Sequence, residues 1–166
     1  GITLAAAIVT LQDVELSPIA TFALTGQVTE QGTGTPIANA NVQIVNGSFN
    51  FNTTTDGSGN FTFPAVYADD YEIIAGHWGH VTSCMQNVSI NSSSSPITIQ
   101  LAKGYYDDFA FDFGWTVSGD ATAGVWVREV PVGTFSGPVP SNPSIDDSTD
   151  CSNIAIIICF LSSFLR

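Results

Sequence analysis

His77 and His80 are the only imidazoles in the chain, and their His-x-x-His spacing is the first pattern that invites a metal or general-base reading. Residues three apart in an extended strand face opposite sides, and a zinc centre takes at least three protein ligands. Cys84 joins as a third ligand only if the chain turns sharply, so His77-Trp78-Gly79-His80 reads as a turn between two strands. No His-x-x-Glu pattern of a zinc peptidase occurs. Serines are plentiful, but no Gly-x-Ser-x-Gly elbow presents one as a nucleophile and no motif places a base beside it.

Adjacent carboxylates stand at Asp69-Asp70, Asp107-Asp108 and Asp146-Asp147. A general acid and base need environments that separate their pKa values, and adjacent loop carboxylates are more simply solvated turns or a cation site. Asp107, Asp108, Asp112 and Asp120 are the candidate calcium ligands, because hard oxygen donors suit Ca²⁺, although their spacing matches no EF-hand loop. No other metal or cofactor is expected. Acceptor sequons for N-glycosylation fall at Asn46, Asn52, Asn60, Asn87 and Asn91, and Asp147-Ser148-Thr149 is a candidate O-glycosylation signal at Ser148. Trp78, Tyr105, Tyr106, Trp115 and Trp126 offer faces on which sugars stack; Trp115 and Trp126 sit in strand-like runs, where core or interface packing is the commoner role.

These groups sit in a chain of 166 residues with 44% hydrophobic and only 11% charged residues. Its surface polarity must come from Ser, Thr, Asn, Gln and Gly, which suit strands and turns better than helices. Lys103, Arg128 and Arg166 are the only basic side chains against 15 acids, a formal charge of −12. Phosphate recognition needs clustered Lys or Arg, so nucleic acid and anionic lipid surfaces are excluded as partners. Cys84, Cys151 and Cys159 cannot all pair within one chain; one bridge plus one free thiol, or three free thiols, both remain open.

Short alternating runs predict strands near 24–29, 41–46, 49–55, 60–63, 71–76, 81–90 and 97–102. Turn clusters separate them, among them Gly32-Thr-Gly34-Thr-Pro36, Asn46-Gly47, Asp56-Gly-Ser-Gly59 and Asp69-Asp70. The expected core includes Val28, Val42, Ile44, Phe61, Phe63, Ile73, Val88, Ile97 and Leu101. Residues 8–16 read as one further strand stopped by Pro18, with a helix over Leu4–Leu11 as the rival reading. No basic residue precedes this apolar start as a signal peptide requires, and Asp13 and Glu15 cut it too short to span a bilayer. Ile154–Phe160 is likewise too short to span, and reads as a strand.

Gly26-Gln-Val28-Thr29, Gly34-Thr-Pro36-Ile37-Ala-Asn-Ala40-Asn-Val42-Gln-Ile44, Asp56-Gly-Ser-Gly59-Asn60-Phe61-Thr-Phe63 and Asp70-Tyr71-Glu-Ile73 together resemble the carboxypeptidase regulatory-like family. The resemblance covers about half the chain and implies a transthyretin-like Greek-key β-sandwich of secreted bacterial proteins. Residues 104–135, with Tyr105-Tyr-Asp107-Asp108-Phe109 and Phe113-Gly114-Trp115, resemble the opening of a jelly-roll module. The expected organisation is an N-terminal strand arm (1–21), a seven-stranded all-β sandwich (22–103) and a β-rich extension (104–166). The Ile8–Leu16 run echoes the Pro96–Leu101 run, as if each closed a sandwich.

The expected function is that of a secreted, cell-surface, non-catalytic structural protein. Its partners would be copies of itself, joined into a filament by β-strand exchange, with glycans as further partners. Ile8, Val9, Leu11, Val14 and Leu16 would form the assembly strand. The alternatives are a spacer domain of a secreted hydrolase such as a zinc carboxypeptidase, or a carbohydrate-binding module.

Overall fold

A computed structural model describes residues 18–118, 125–146, 150–152 and 154–159. Among them the chain is all β. Seven strands, β1 (Thr21–Glu30), β2 (Asn41–Val45), β3 (Asn50–Thr54), β4 (Asn60–Tyr67), β5 (Asp69–Gly76), β6 (Ser83–Ile90) and β7 (Ile97–Leu101), build a sandwich. One sheet runs β4-β1-β7 and the other β3-β2-β5-β6. Neighbours are antiparallel except β1 and β7, which are parallel from Gly26↔Ile97 to Glu30↔Leu101. The assembly strand Ile8, Val9, Leu11, Val14 and Leu16 lies outside the described residues.

Period-two alternation decides which side chains enter the core. Val42 and Ile44 of β2, Phe61 and Phe63 of β4, and Ile99 and Leu101 of β7 are all buried, while Thr62, Thr98 and Gln100 between them are exposed. Val28 and Ile73 join them as expected; Val88 and Ile97 pack partly buried against the same cluster. Leu24, Val66, Tyr71 and Ile90 complete it. Each fully buried aliphatic contributes about 1.5–3 kcal/mol.

Two bulges explain where the strands outrun the sequence reading. Phe22 pairs with Val66 and Leu24 with Phe63, so Pro64 and Ala65 together face Ala23. Proline donates no ladder hydrogen bond and is tolerated at such a bulge, which lets β4 run on to Tyr67 instead of ending near residue 63. On β6, Gln86 and Asn87 face Glu72 alone, and Asn87 takes a φ of 55°. Asp69-Asp70, read as a turn, instead open β5, where they pair with Ile90 and Ser89. The chain changes sheets at Ala68, and the Tyr71 hydroxyl pins that corner by donating to the Tyr67 carbonyl at 3.1 Å. The Asp56–Gly59 turn is as expected: the Asp56 carboxylate accepts the Asn60 and Ser58 N–H groups, which hold its carboxyl below the usual range.

Beyond the sandwich, β8 (Val125–Glu129) pairs antiparallel with β11 (Ala155–Cys159), and β9 (Thr134–Ser136) with β10 (Val139–Asn142). Of residues 104–135, expected to open a jelly roll, 104–118 form no strand. They lie across the outer face of the four-stranded sheet instead. There Ala110, Cys151 and partly buried Phe111 cover Ile74, which is 1% exposed. β5 is thereby buried on both faces.

Gly26 is the tightest point of the sandwich. A Cβ there would sit 2.3 Å from both the Ile97 carbonyl oxygen and the Phe61 ring. Gly26→Ala should therefore cost about 1–3 kcal/mol in urea unfolding. Gly47→Ala, whose added methyl meets nothing within 4 Å, should stay within about 0.5 kcal/mol; equal effects would refute the packing account.

Candidate functional site

The β5–β6 connection is the tight turn His77–His80, closed by the His80 N–H donating to the His77 carbonyl at 3.0 Å, with Gly79 at a φ of 84°. A turn, unlike a strand, brings its first and fourth residues together. The Nδ1 atoms of His77 and His80 are 3.3 Å apart, so the opposite-face argument does not apply to this pair. His80 Nε2 is buried without a hydrogen bond and lies 3.5 Å from Glu30 Oε2. That carboxylate favours a proton on Nε2, which leaves His80 Nδ1 to accept from the His77 Nδ1–H. Burial, and then the neighbouring His80, hold the His77 imidazole below its ordinary value of 6.5.

The chain leaving β7 returns past this turn. Val81 N–H donates to the Ala102 carbonyl at 2.8 Å and Gly104 N–H to the Gly79 carbonyl at 3.0 Å. Residues 105–115 then curl over Trp78 and enclose a pocket of about 130 Å³. Trp78 meets Trp115 edge-on at 5.5 Å and 77°, Tyr105 at 6.4 Å and 66°, and Phe113 at 6.4 Å and 62°. Asp107 ties the wall together: one oxygen accepts the Phe109 N–H at 2.9 Å and the other the Trp115 indole N–H at 2.5 Å.

Of the aromatics singled out in sequence, Trp78, Tyr105, Tyr106 and Trp115 line this one pocket, and Trp126 does not. Trp115 and Trp126 are not core residues: they are 57% and 48% exposed. Phe113 was missed, although its alternation with Phe109 and Phe111 is a visible signal. Phe111 and Phe113 lie over Gly76, where a Cβ would meet the Phe111 ring at 2.7 Å.

Among the described residues, the candidate calcium ligands Asp107, Asp108 and Asp112 form no metal-holding group. Asp108 is buried and accepts the Ala110 and Cys151 N–H groups, Asp112 accepts the Gly114 N–H, and Asp107 is engaged as above. Asp120 lies outside the described residues. Among those residues, the three metal-capable groups brought together are Cys84, Asp108 and Cys151. Cys84 and Cys151 are joined as a disulfide with a Cα–Cα distance of 5.7 Å, so neither offers a thiolate. Cys84 is thus a staple, not a partner of the histidines. Arg128 fastens the same region, donating to the Phe109 and Ala110 carbonyls at 2.7 and 2.6 Å.

The match to known families follows the sandwich. The carboxypeptidase regulatory-like domain model matches residues 23–102, from within β1 to just past the end of β7. Residues 23–102 are a carboxypeptidase regulatory-like domain. No curated protein matches the chain. Similar solved structures include a cohesin-X-dockerin complex from Acetivibrio cellulolyticus (20% identity, 50% of this chain, 58% of that one, TM-score 0.40). A pilus 2b backbone protein of group B streptococcus aligns at 12% identity over 50% of this chain and 41% of that one, TM-score 0.40. So does 3-chlorocatechol 1,2-dioxygenase from Rhodococcus opacus, at 14% identity, 51% and 60% coverage and TM-score 0.37. The chain spans less than two thirds of each, and at such scores these likenesses say nothing of function.

On the regulatory-like domain the sequons differ in environment. Asn52, Asn60, Asn87 and Asn91 are exposed. The Asn46 amide is occupied by the Asp69 carboxylate and the Asp70 carbonyl, and its oxygen caps Ser48 and Phe49, so it serves its own turn. Ser148 lies outside the described residues.

Cys84→Ser with Cys151→Ser should loosen residues 104–118 from the domain. The expected signs are a red-shifted tryptophan emission and faster proteolysis of that segment, with a stability loss of about 2–4 kcal/mol. Unchanged emission would separate the bridge from the pocket. For His77 the sign is fixed by its lowered pKa: below about pH 6.5 the unfolded chain takes up the proton more readily, so stability falls on acidification. The urea midpoint of His77→Gln should therefore decline less between about pH 7 and 5 than that of the parent; parallel declines would contradict the assignment.

Proposed function

We propose that this chain is a non-catalytic structural subunit of an extracellular surface filament or fibre, joined copy to copy by an added β-strand. The supporting observation is an unequal sandwich: three strands face four, and among the described strands β7 has a neighbour on one edge only. β7 turns Ile99 and Leu101 inward and Thr98 and Gln100 outward. A strand of the same alternation laid beside it would extend both the ladder and the apolar face, which is how main-chain addition gains affinity and register together. Residues 8–16 are the candidate segment: Val9 and Leu11 supply one apolar parity and Val14 and Leu16 the other, so the added strand would need a bulge near Gln12, and only a few residues of sequence including Pro18 separate it from β1.

The disulfide supports an oxidising, extracytoplasmic setting, because such bridges form and persist there. The non-catalytic part is supported by His77 and His80 hydrogen-bonding each other, in a pocket whose described lining holds no Ser, Thr, Cys or Lys. Among the described residues, no helix is long and apolar enough to cross a membrane.

Removal of residues 1–17 should leave a folded sandwich that no longer polymerises in negative-stain microscopy. A peptide of residues 8–16 should then bind the truncated chain and raise its melting temperature. Fibres from the truncated chain identical to those of the full chain would rule out the added strand, and discrete monomers of the full chain at every concentration would favour a spacer module.

A further inference from the structure

We propose that the aromatic pocket at the β5–β6 turn is a binding site for a neutral sugar ring, one unit of an oligosaccharide that passes over Trp78. Exposure is the first reason. Trp78 is 54%, Tyr105 91% and Trp115 57% exposed, whereas aromatic rings serving the fold, such as Phe61 and Phe63, are at 3% and 2%. Large rings gathered at one place and left open mark a contact surface.

Shape is the second. Trp78 is steeply inclined, by 62–77°, to Trp115, Tyr105 and Phe113, so the rings form the walls and floor of a cup, not a flat stack. Its volume of about 130 Å³ accommodates a single six-membered ring. A pyranose has an apolar C–H face for the indole and hydroxyls around its edge. The polar groups at hand for those hydroxyls are the His77 imidazole and the spare lone pairs of Asp107.

Charge selects among ligands. Among the described residues no Lys or Arg lines the pocket, and Asp107 does, so phosphorylated and other anionic ligands are disfavoured. A cation finds Asp107 already accepting two N–H groups. It would also sit beside the His77 imidazole, whose burial disfavours positive charge. A neutral ring meets neither penalty. The site is also held in shape before any ligand arrives, by the paired backbones of residues 79–81 and 102–104.

The test is a titration of the full chain with cellohexaose, xylohexaose and chitohexaose, followed by tryptophan emission and by NMR shifts of indole N–H groups. Saturable binding of at least one, with shifts at Trp78 and Trp115, is expected. Trp78→Ala and Tyr105→Ala, the latter at a largely exposed wall residue, should each weaken it about tenfold, with circular dichroism reporting that both remain folded. Trp126→Ala, outside the pocket, should bind as the parent does. No response to any of the three sugars at about 10 mM, where even a millimolar site fills, would overturn the proposal. So would binding of choline or inorganic phosphate at the same residues in place of sugar. The outcome is independent of polymerisation, since the pocket lies on residues 77–115 and the truncated chain is a second test species.

Discussion

Burial of β5 on both faces is the constraint from which the rest of the architecture follows. Ile73 and Ile74 are consecutive, point to opposite sides, and are each 1% exposed. One side is closed by the other sheet of the sandwich. The outer side needs a separate cover, and a chain leaving β7 can supply it only by returning across that sheet. Residues 110–113 do so, held down by the Cys84–Cys151 bridge and by Arg128 on the Phe109 and Ala110 carbonyls. Once Phe111 and Phe113 are laid over Gly76, Trp115 has little choice but to come beside Trp78. The pocket is a by-product of covering Ile74, which is why a functional-looking cleft arises at the end of a small sandwich with no inserted domain.

β1 supplies the complementary constraint in the other sheet. It is the one described strand of that sheet with partners on both edges, β4 and β7. The two partners overlap at Gly26 and Gln27, where the Phe61 ring crosses the backbone. Only a residue without a side chain admits a carbonyl and an aromatic ring at that distance. The bulge opposite Ala23 then absorbs the extra residue that Pro64 cannot pair, so β4 keeps Phe61, Phe63 and Val66 inward despite the break in parity.

The sandwich was legible because its signals are local. Alternation and turn chemistry such as Asp56–Gly59 act over a few residues, and they set the seven strands to within a few positions. The misreadings came from interactions that cross the chain. Asp69-Asp70 has turn composition, but pairing with Ile90 and Ser89 makes it strand. His77-Trp78-Gly79-His80 is the turn between two strands that the sequence implies, but strand parity could not show that this turn brings the two imidazoles within 3.3 Å of each other. Composition alone could not say which cysteines pair, because the bridge depends on residues 67 apart being brought together by the cover. Trp115 looked like a core strand residue because Thr116 and Val117 follow it; nothing within ten residues announces Trp78 as its neighbour.

The two proposed roles draw on the same stretch of chain without competing for it. Among the described residues β7 has no partner on its outer edge over Ile97–Leu101, but from Ala102 onward that edge is taken: Val81 and Gly104 donate across to Ala102 and Gly79. An added strand therefore has a defined stop. It can pair along five residues and no further, because the backbone groups beyond are already satisfied and the chain is turning toward the opposite sheet. The same ladder fixes the base of the pocket, so the point that ends the open edge is the point that orients Trp78 and Tyr105. A sheet edge that polymerises without a stop risks slipping in register, since nothing in a ladder of main-chain groups distinguishes one pairing from the next. Here the register would be set twice, by the alternation of Ile99 and Leu101 with Thr98 and Gln100 and by the blocked position at Ala102. Assembly along β7 would then leave the aromatic cup at the subunit surface.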